Sequence, residues 1–458
     1  MSIEANDADR FPLLGTAGRA MLRRLREHPH APIFRNASGH RLRAGELAQA
    51  RAFEREVADA KMTNDAQAEW LPQFLGRCAK LVPHHARAAR ALPDGADPLQ
   101  LASWPTTSRV DLSRDIAAFV PDDLPLDRLI QFSTSGTSGH PLRVPSHPLV
   151  AASYLAFHKR ALRRIGIELE AGSGKVGVAL VGWQKRCFTY ASVLPLMHEA
   201  GLVKLNLHPD DWRDPEDRAR YLDDLRPELF SGDPISLSVL MTLPLRHLPR
   251  ALLSTSMALT AGLCEALQAR FRCPVLDLYS LNEAGPVAVF DAGLGGHLLL
   301  QHRLVVEVVD VAGRRVAPGQ RGEITLTGGF NAWLPLLRYR TGDHAALNGT
   351  AEGPVLMGLV GRPPVRFVTQ AGEWINNLDV THALAAFALP RYALHQTGSG
   401  RMQLRVPASA LNLAEPARDA LKRLFGAEQP VDITALQVDD KVVQYTSEFT
   451  QTGAESPS

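Results

Sequence analysis

The spacing of apolar and polar residues changes twice along the chain. Up to about residue 125, stretches such as AGRAMLRRLREHP and LRAGELAQARAFEREVADAK place apolar residues at helical spacing between charged faces. They predict a mostly helical opening, about residues 1–125, with turns at the Pro-Asp clusters near Pro93, Pro121 and Pro125. From about 126 to 345, short β-branched apolar runs alternate with helical segments; KVGVALVGW (175–183), PVLDLYS (274–280) and VVEVVD (305–310) are examples. Continuous apolar runs of this kind are how strands covered on both faces read, so the middle of the chain is expected to be α/β. RLVVEVVDVAGRRVAPGQRGEITLT reads instead as two antiparallel strands separated by Gly/Pro turns, a small β-subdomain. Gly361-Arg362-Pro363-Pro364 then interrupts the pattern, since successive prolines stop regular structure. Beyond it, AEPARDALKRLFG predicts an amphipathic helix, RMQLRV and VDITALQV predict strands, and QTGAESPS a frayed end. The expected fold class is α/β: a large N-terminal domain of α/β sheets plus the β-subdomain, residues 1–361, followed by a small α+β C-terminal domain, residues 362–458.

Composition narrows the function classes. A chain of 458 residues with 45% hydrophobic residues supports a large core in two or three domains. Fifty basic residues against 48 acidic ones leave a formal charge of +2, which argues against nucleic-acid or anionic-membrane partners. The longest apolar runs, such as VGVALVGW, fall far short of the roughly 18–20 residues that span a bilayer. With a polar start, MSIEANDADRF, the expectation is a soluble cytoplasmic protein. Four cysteines without a CxxC pair point away from structural zinc and from a disulfide scaffold. Eight lysines stand against 42 arginines, so any chemistry that needs a lysine has few candidates.

The segment richest in chemistry is Ser133-Thr134-Ser135-Gly136-Thr137-Ser138-Gly139, followed by His140-Pro141. Small hydroxylic residues and glycines cannot build a core. They can form a loop whose N–H and O–H groups wrap a polyphosphate. The alternative is an ordinary Ser/Gly loop, but this one directly follows the strand-like LIQF. The GxxxxGK[ST] pattern is absent, which excludes a Walker-type site.

STSGTSGHP resembles the phosphate loop of the adenylate-forming superfamily, which holds acyl- and aryl-CoA synthetases, peptide-synthetase adenylation domains and luciferases. Three further blocks follow in that family's order. Leu278-Tyr279-Ser280-Leu281-Asn282-Glu283 resembles its aromatic-x-x-Thr-Glu block, Tyr339-Arg340-Thr341-Gly342-Asp343 its Tyr-x-Thr-Gly-Asp block, and Gly361-Arg362 the Gly-Arg that opens its hinge. The texture is most similar to the phenylacetate–CoA ligase branch, over about residues 100–445. The resemblance implies ATP-dependent adenylation of a carboxylate, expected to be aromatic, with pyrophosphate release and then acyl transfer to coenzyme A. Two alternatives stay open: transfer to a carrier-protein thiol, and a nucleotide-binding homologue without ligase turnover.

The same resemblance implies roles. Residues 133–139 would hold the β- and γ-phosphates, Glu283 would help hold Mg²⁺, and Tyr279 would stack on adenine with Ser280 and Asn282 beside it. Asp343 would accept hydrogen bonds from the ribose hydroxyls, Arg362 would reach the ribose or phosphates, and the C-terminal domain would move between half-reactions. Structural readings compete: a core Tyr279, a capping Glu283, a turn-shaping Asp343, an ion-paired Arg362. The family's C-terminal lysine has two candidates past Asp343. Lys422 falls on a helix face expected to meet water, and Lys441 sits where the branch carries Gly-Lys-x-x-Arg, so Lys441 is the expected catalytic lysine. The acid pocket is expected between the strand near Gly182-Trp183, the following helix, the loop Ser231-Gly232-Asp233-Pro234 and Tyr279-Ser280, with Trp183, Phe188, Tyr190 and Ser231 as lining.

The chain also departs from the pattern. Pro363-Pro364 stands at the hinge, Asn282 replaces Thr or Ser, Ser256-Met257 replaces Ala-Glu, and Gln444 replaces the terminal Arg. The Cys-containing metal signature of some relatives is missing, so zinc is not expected.

Overall fold

The structure is a computed structural model that describes residues 7–61, 68–133, 142–360, 365–384, 387, 392–406, 408–436 and 445–451. The helical opening contains Thr16–Arg26, Ala44–Asp59, Trp70–Leu81 and Pro83–Arg90. The first three turn an apolar stripe inward, and the fourth buries His85; Met21, Leu22 and Leu25 of the first are buried against the main sheet. Residues 27–43 between the first two form no regular element, and some of their N–H groups go to distant carbonyls. Ile33 donates to Asp211 O at 2.7 Å and Asn36 to Thr189 O at 3.0 Å.

A single 13-stranded sheet organises the large part of the chain. Its α/β half is parallel from Val275–Leu281 through Ala251–Ser254, Leu229–Gly232 and Val176–Gly182 to Ala200–Asn206, and ends in the antiparallel edge Tyr190–Leu194. The apolar runs read as strands thus occupy the centre, where both faces are covered. One face carries Ala179, Val181, Val203 and Leu205 into a core with Leu25 and Phe230. The opposite face carries Val178, Leu229 and Leu253 against the helix Pro148–Arg163 through Ala156 and Phe157. Beyond Val275–Leu281 every successive pairing along the sheet is antiparallel. The expected β-subdomain is part of it: Leu304–Val309 pairs with Arg321–Gly328 in the register Leu304↔Gly328 to Val309↔Glu323.

The C-terminal segment has a core of its own around Phe367, Tyr392, Leu404, Leu421 and Phe425. Its four-stranded sheet runs Val431–Ala435, Met402–Val406, Ala393–Gln396, Tyr445–Ser447, packed by the helix Ala414–Phe425. Lys422 on that helix is half-buried, and Leu421 and Phe425 are buried. This segment docks on the loop after the strand Val176–Gly182 and on the helix Pro234–Thr242. The Lys185 N–H donates to Asp379 Oδ1 at 2.8 Å, and Arg366 reaches Ser238 Oγ. No helix among the described residues is long and apolar enough to cross a membrane.

Candidate active site

A cavity of about 1280 Å³ opens where the two halves of the sheet meet and the C-terminal segment approaches. Two tight backbone features bring its polar groups together. The strand Val275–Leu281 turns back through Asn282-Glu283-Ala284 into Gly285–Asp291. Gly285 (φ 72°) makes that turn, and a Cβ there would lie 2.6 Å from the Phe330 ring. In the long strand Leu336–Thr350, Thr341-Gly342-Asp343 breaks the ladder locally. The Thr341 hydroxyl donates to Ile324 O (3.1 Å) and accepts the Asp343 N–H (3.1 Å), while Gly342 (φ 82°) donates to Glu323 Oε1 (3.0 Å).

These turns set two linked pairs in the cavity wall. The Tyr279 hydroxyl donates to Asp343 Oδ2 at 2.9 Å. Glu283, only 5% exposed, accepts on Oε1 from Arg109 (2.9 Å) and from the Tyr339 hydroxyl (3.1 Å). Burial, with Asp343 beside it, holds the Tyr279 phenol well above its ordinary pKa; burial and Glu283 do the same for Tyr339. Both tyrosines therefore remain donors that fix the carboxylates they face. Arg109 is delivered from far upstream in sequence. Thr107-Ser108 pairs in parallel with Tyr339-Arg340, and Ser108 with Asp111 forms a capping box that starts the helix Arg109–Arg114. Tyr154, whose hydroxyl is pushed up to about 12 by burial and by Glu283, reaches Asn282 O at 3.5 Å.

Tyr279, Ser280, Asn282, Glu283 and Asp343 thus share one cavity, as does Phe188 at its rim. Three other expected lining residues lie outside it. Strand alternation turns Trp183 to the same side as Ala179 and Val181, where it packs on His208 with ring centroids 5.1 Å apart. Ser231 is buried within the strand Leu229–Gly232; the segment after it is no open loop, because Asp233 caps the helix Pro234–Thr242 and accepts the Ser236 N–H at 3.0 Å. Tyr190 lies on the edge strand, across from Lys204. Ser133 ends the strand Ile130–Ser133, paired with Arg143. Thr134, Ser135, Gly136, Thr137, Ser138, Gly139, Arg362 and Lys441 lie outside the described residues, but Tyr445, four positions past Lys441, lines the cavity.

Sequence reading missed Arg109, Tyr339, Lys204 and His158, all in the cavity wall. Arg109 had a signal in the capping spacing Ser108-x-x-Asp111, and Tyr339 belongs to the block already quoted. Ser256, noted as a departure, lines the cavity in a left-handed conformation (φ 72°) that costs about 1–2 kcal/mol for a residue with a Cβ.

The donor set suits a nucleotide triphosphate: fixed carboxylates for hydroxyls and a hard cation, a guanidinium for phosphate, and an aromatic wall. Comparison with known proteins agrees with this geometry. Residues 121–332 match the AMP-binding enzyme family. No curated protein matches the chain in sequence. Among solved structures, a 2-hydroxyisobutyryl-CoA ligase in an open conformation with 2-HIB-AMP and CoA is 20% identical with a TM-score of 0.51, covering 84% of this chain and 92% of that one. The same ligase in the thioesterification state is 19% identical with a TM-score of 0.54, covering 89% and 90%. At this identity the likeness is one of fold. Residues 121–332 thus match the AMP-binding enzyme family, and the chain shares its fold with these ligases.

Proposed function

We propose that the protein is an ATP-dependent acid–thiol ligase of the phenylacetate–CoA ligase type. It joins a carboxylate, of aromatic class, to the α-phosphate of ATP, releases pyrophosphate and passes the acyl group to the thiol of coenzyme A. The observation that carries this reading is the convergence of Tyr279, Glu283 and Asp343, from two separated sequence blocks, on one cavity that Tyr445 of the C-terminal segment also lines.

In this reading Asp343, oriented by Tyr279, accepts the ribose hydroxyls, and Tyr279 presents the small exposed part of its ring to adenine, with Ser280 and Asn282 beside it. The loop 133–139 wraps the β- and γ-phosphates, and Arg362 completes the nucleotide's contacts. Glu283 fits a magnesium site: one fixed carboxylate plus substrate phosphates is a common Mg²⁺ donor set, and both of its described bonds fall on the same oxygen. Bound there, the ion would neutralise charge on the phosphates. Arg109, beside Glu283, supplies positive charge where the pentavalent phosphorus develops its own negative charge. Lys441 neutralises the carboxylate and α-phosphate as they join. The pieces 1–361 and 362–458 act as a large domain and a small one that rotates between half-reactions.

Acid-dependent pyrophosphate release with ATP and Mg²⁺ tests the reading. Lys441→Ala is expected to lower it about 10²–10³-fold, the scale of removing one transition-state charge partner. Full release by that variant would remove Lys441 from the chemistry.

A further inference from the structure

Lys204 is one of eight lysines in the chain and lies on the strand Ala200–Asn206. Strand alternation puts it on the same face as Leu202, and register sets it beside Leu180. That face is packed by Ala156 and Phe157 of the helix Pro148–Arg163, so the lysine stem enters the wedge between helix and sheet rather than the outer surface. There it lines the cavity with Leu180, His158 and Phe188.

Among the described residues its charge has no compensating partner. Among the described residues no ion pair or hydrogen bond reaches the half-buried Lys204 ammonium, whereas Lys159, Lys175 and Lys185 each face a glutamate. Of the cavity's five carboxylates, Asp277, Glu283 and Glu323 have cationic partners or a histidine of their own, Asp343 accepts from the Tyr279 hydroxyl, and Glu265 is exposed to water. His158, opposite on the helix, is held neutral because burial lowers its pKa to about 4. Withdrawing an ammonium from water without a counter-ion is costly, and an apolar ligand would withdraw it further. A fatty or plain aryl chain therefore suits this wall poorly, and an anion suits it well.

We propose that the acid taken by this site carries a second anionic group, such as a distal carboxylate, and that Lys204 binds it. This rests on reading the cavity as an adenylation site.

The test uses the full chain with ATP and Mg²⁺ and measures kcat/KM for pyrophosphate release on matched acids. Useful pairs are 4-carboxybenzoate against 4-methylbenzoate, with their 2- and 3-substituted isomers, and glutarate against pentanoate. Wild type should favour the dianionic member of at least one pair by about ten- to a hundredfold, the scale of one charge-assisted hydrogen bond. Lys204→Met should collapse that ratio, and Lys204→Arg should retain most of it. Preference for the methyl-bearing acids throughout, or a ratio unmoved in Lys204→Met, overturns the assignment while leaving adenylation standing. A change in the KM for coenzyme A with acid discrimination intact would place Lys204 on a different anion and overturns it too. No release with any acid defeats the adenylation reading and this inference with it. The wild-type preference stands as a measurement even if a variant fails to fold.

Discussion

Arg338 sits in a strand with a left-handed backbone (φ 43°) and only 7% of its surface exposed. Both features are unfavourable alone, and four bonds offset them. Its guanidinium donates to Glu307 at 3.0 and 3.3 Å, to Trp104 O at 2.8 Å and to Gly313 O at 2.8 Å. Arg338→Met would leave Glu307 buried without its cation, at a cost of about 3–5 kcal/mol. The denaturant midpoint should fall accordingly; a midpoint equal to wild type would contradict this account of the pair. The sequence held half of the signal. Glu307 is a carboxylate inside the apolar run VVEVVD, which asks for a buried partner, but nothing in LRYRTGD distinguishes Arg338 from the half-buried Arg340. The same holds in the cavity. Tyr279, Glu283 and Asp343 were readable because their blocks are short and ordered, whereas Lys204 looked like any lysine until register placed it beside Leu180.

The helix Pro83–Arg90 shows what an element adds. Proline at its first position fits the helix start, and the helix then buries His85 against Trp104 and Phe119. His85 Nε2 has no hydrogen-bond partner among the described residues, and burial pushes its pKa down to about 3. Below the unfolded value near 6.5 the unfolded chain therefore binds a proton that the folded chain refuses. Stability rises with pH through that window and is lost as pH falls from about 6.5 toward 3. His40, lowered to about 4 by burial, acts in the same direction. His85→Phe should have a shallower loss of Tm on acidification than wild type; parallel Tm–pH profiles would contradict the assignment. Elements with a strong internal rhythm were legible in the sequence. KVGVALVGW, PVLDLYS and VVEVVD coincide, to within a residue at each end, with the strands Val176–Gly182, Val275–Leu281 and Leu304–Val309. Residues 27–43 were not, since their conformation is set by carbonyls of Asp211 and Thr189, which no local pattern displays. Trp183 and Ser231 were misplaced for a related reason: which face of a strand meets the cavity depends on its neighbours.

At the scale of the molecule, the site is a meeting of distant pieces. Arg109 comes from a two-residue strand added to the long strand Leu336–Thr350, Glu283 from a hairpin turn, and Tyr445 from the C-terminal sheet. Among the described residues, Lys185 with Asp379 and Arg366 with Ser238 make polar contacts that hold the C-terminal segment there. The central claim is that a carboxylate oxygen attacks the α-phosphorus of ATP. An acid that supports turnover, labelled with ¹⁸O in both carboxyl oxygens, should be incubated with the full chain, ATP, Mg²⁺ and coenzyme A, and the products weighed. The account predicts AMP carrying one ¹⁸O atom beside unlabelled pyrophosphate, because the attacking oxygen stays with AMP when the thiol takes the acyl carbon. Unlabelled AMP, or ADP with labelled inorganic phosphate, would contradict it.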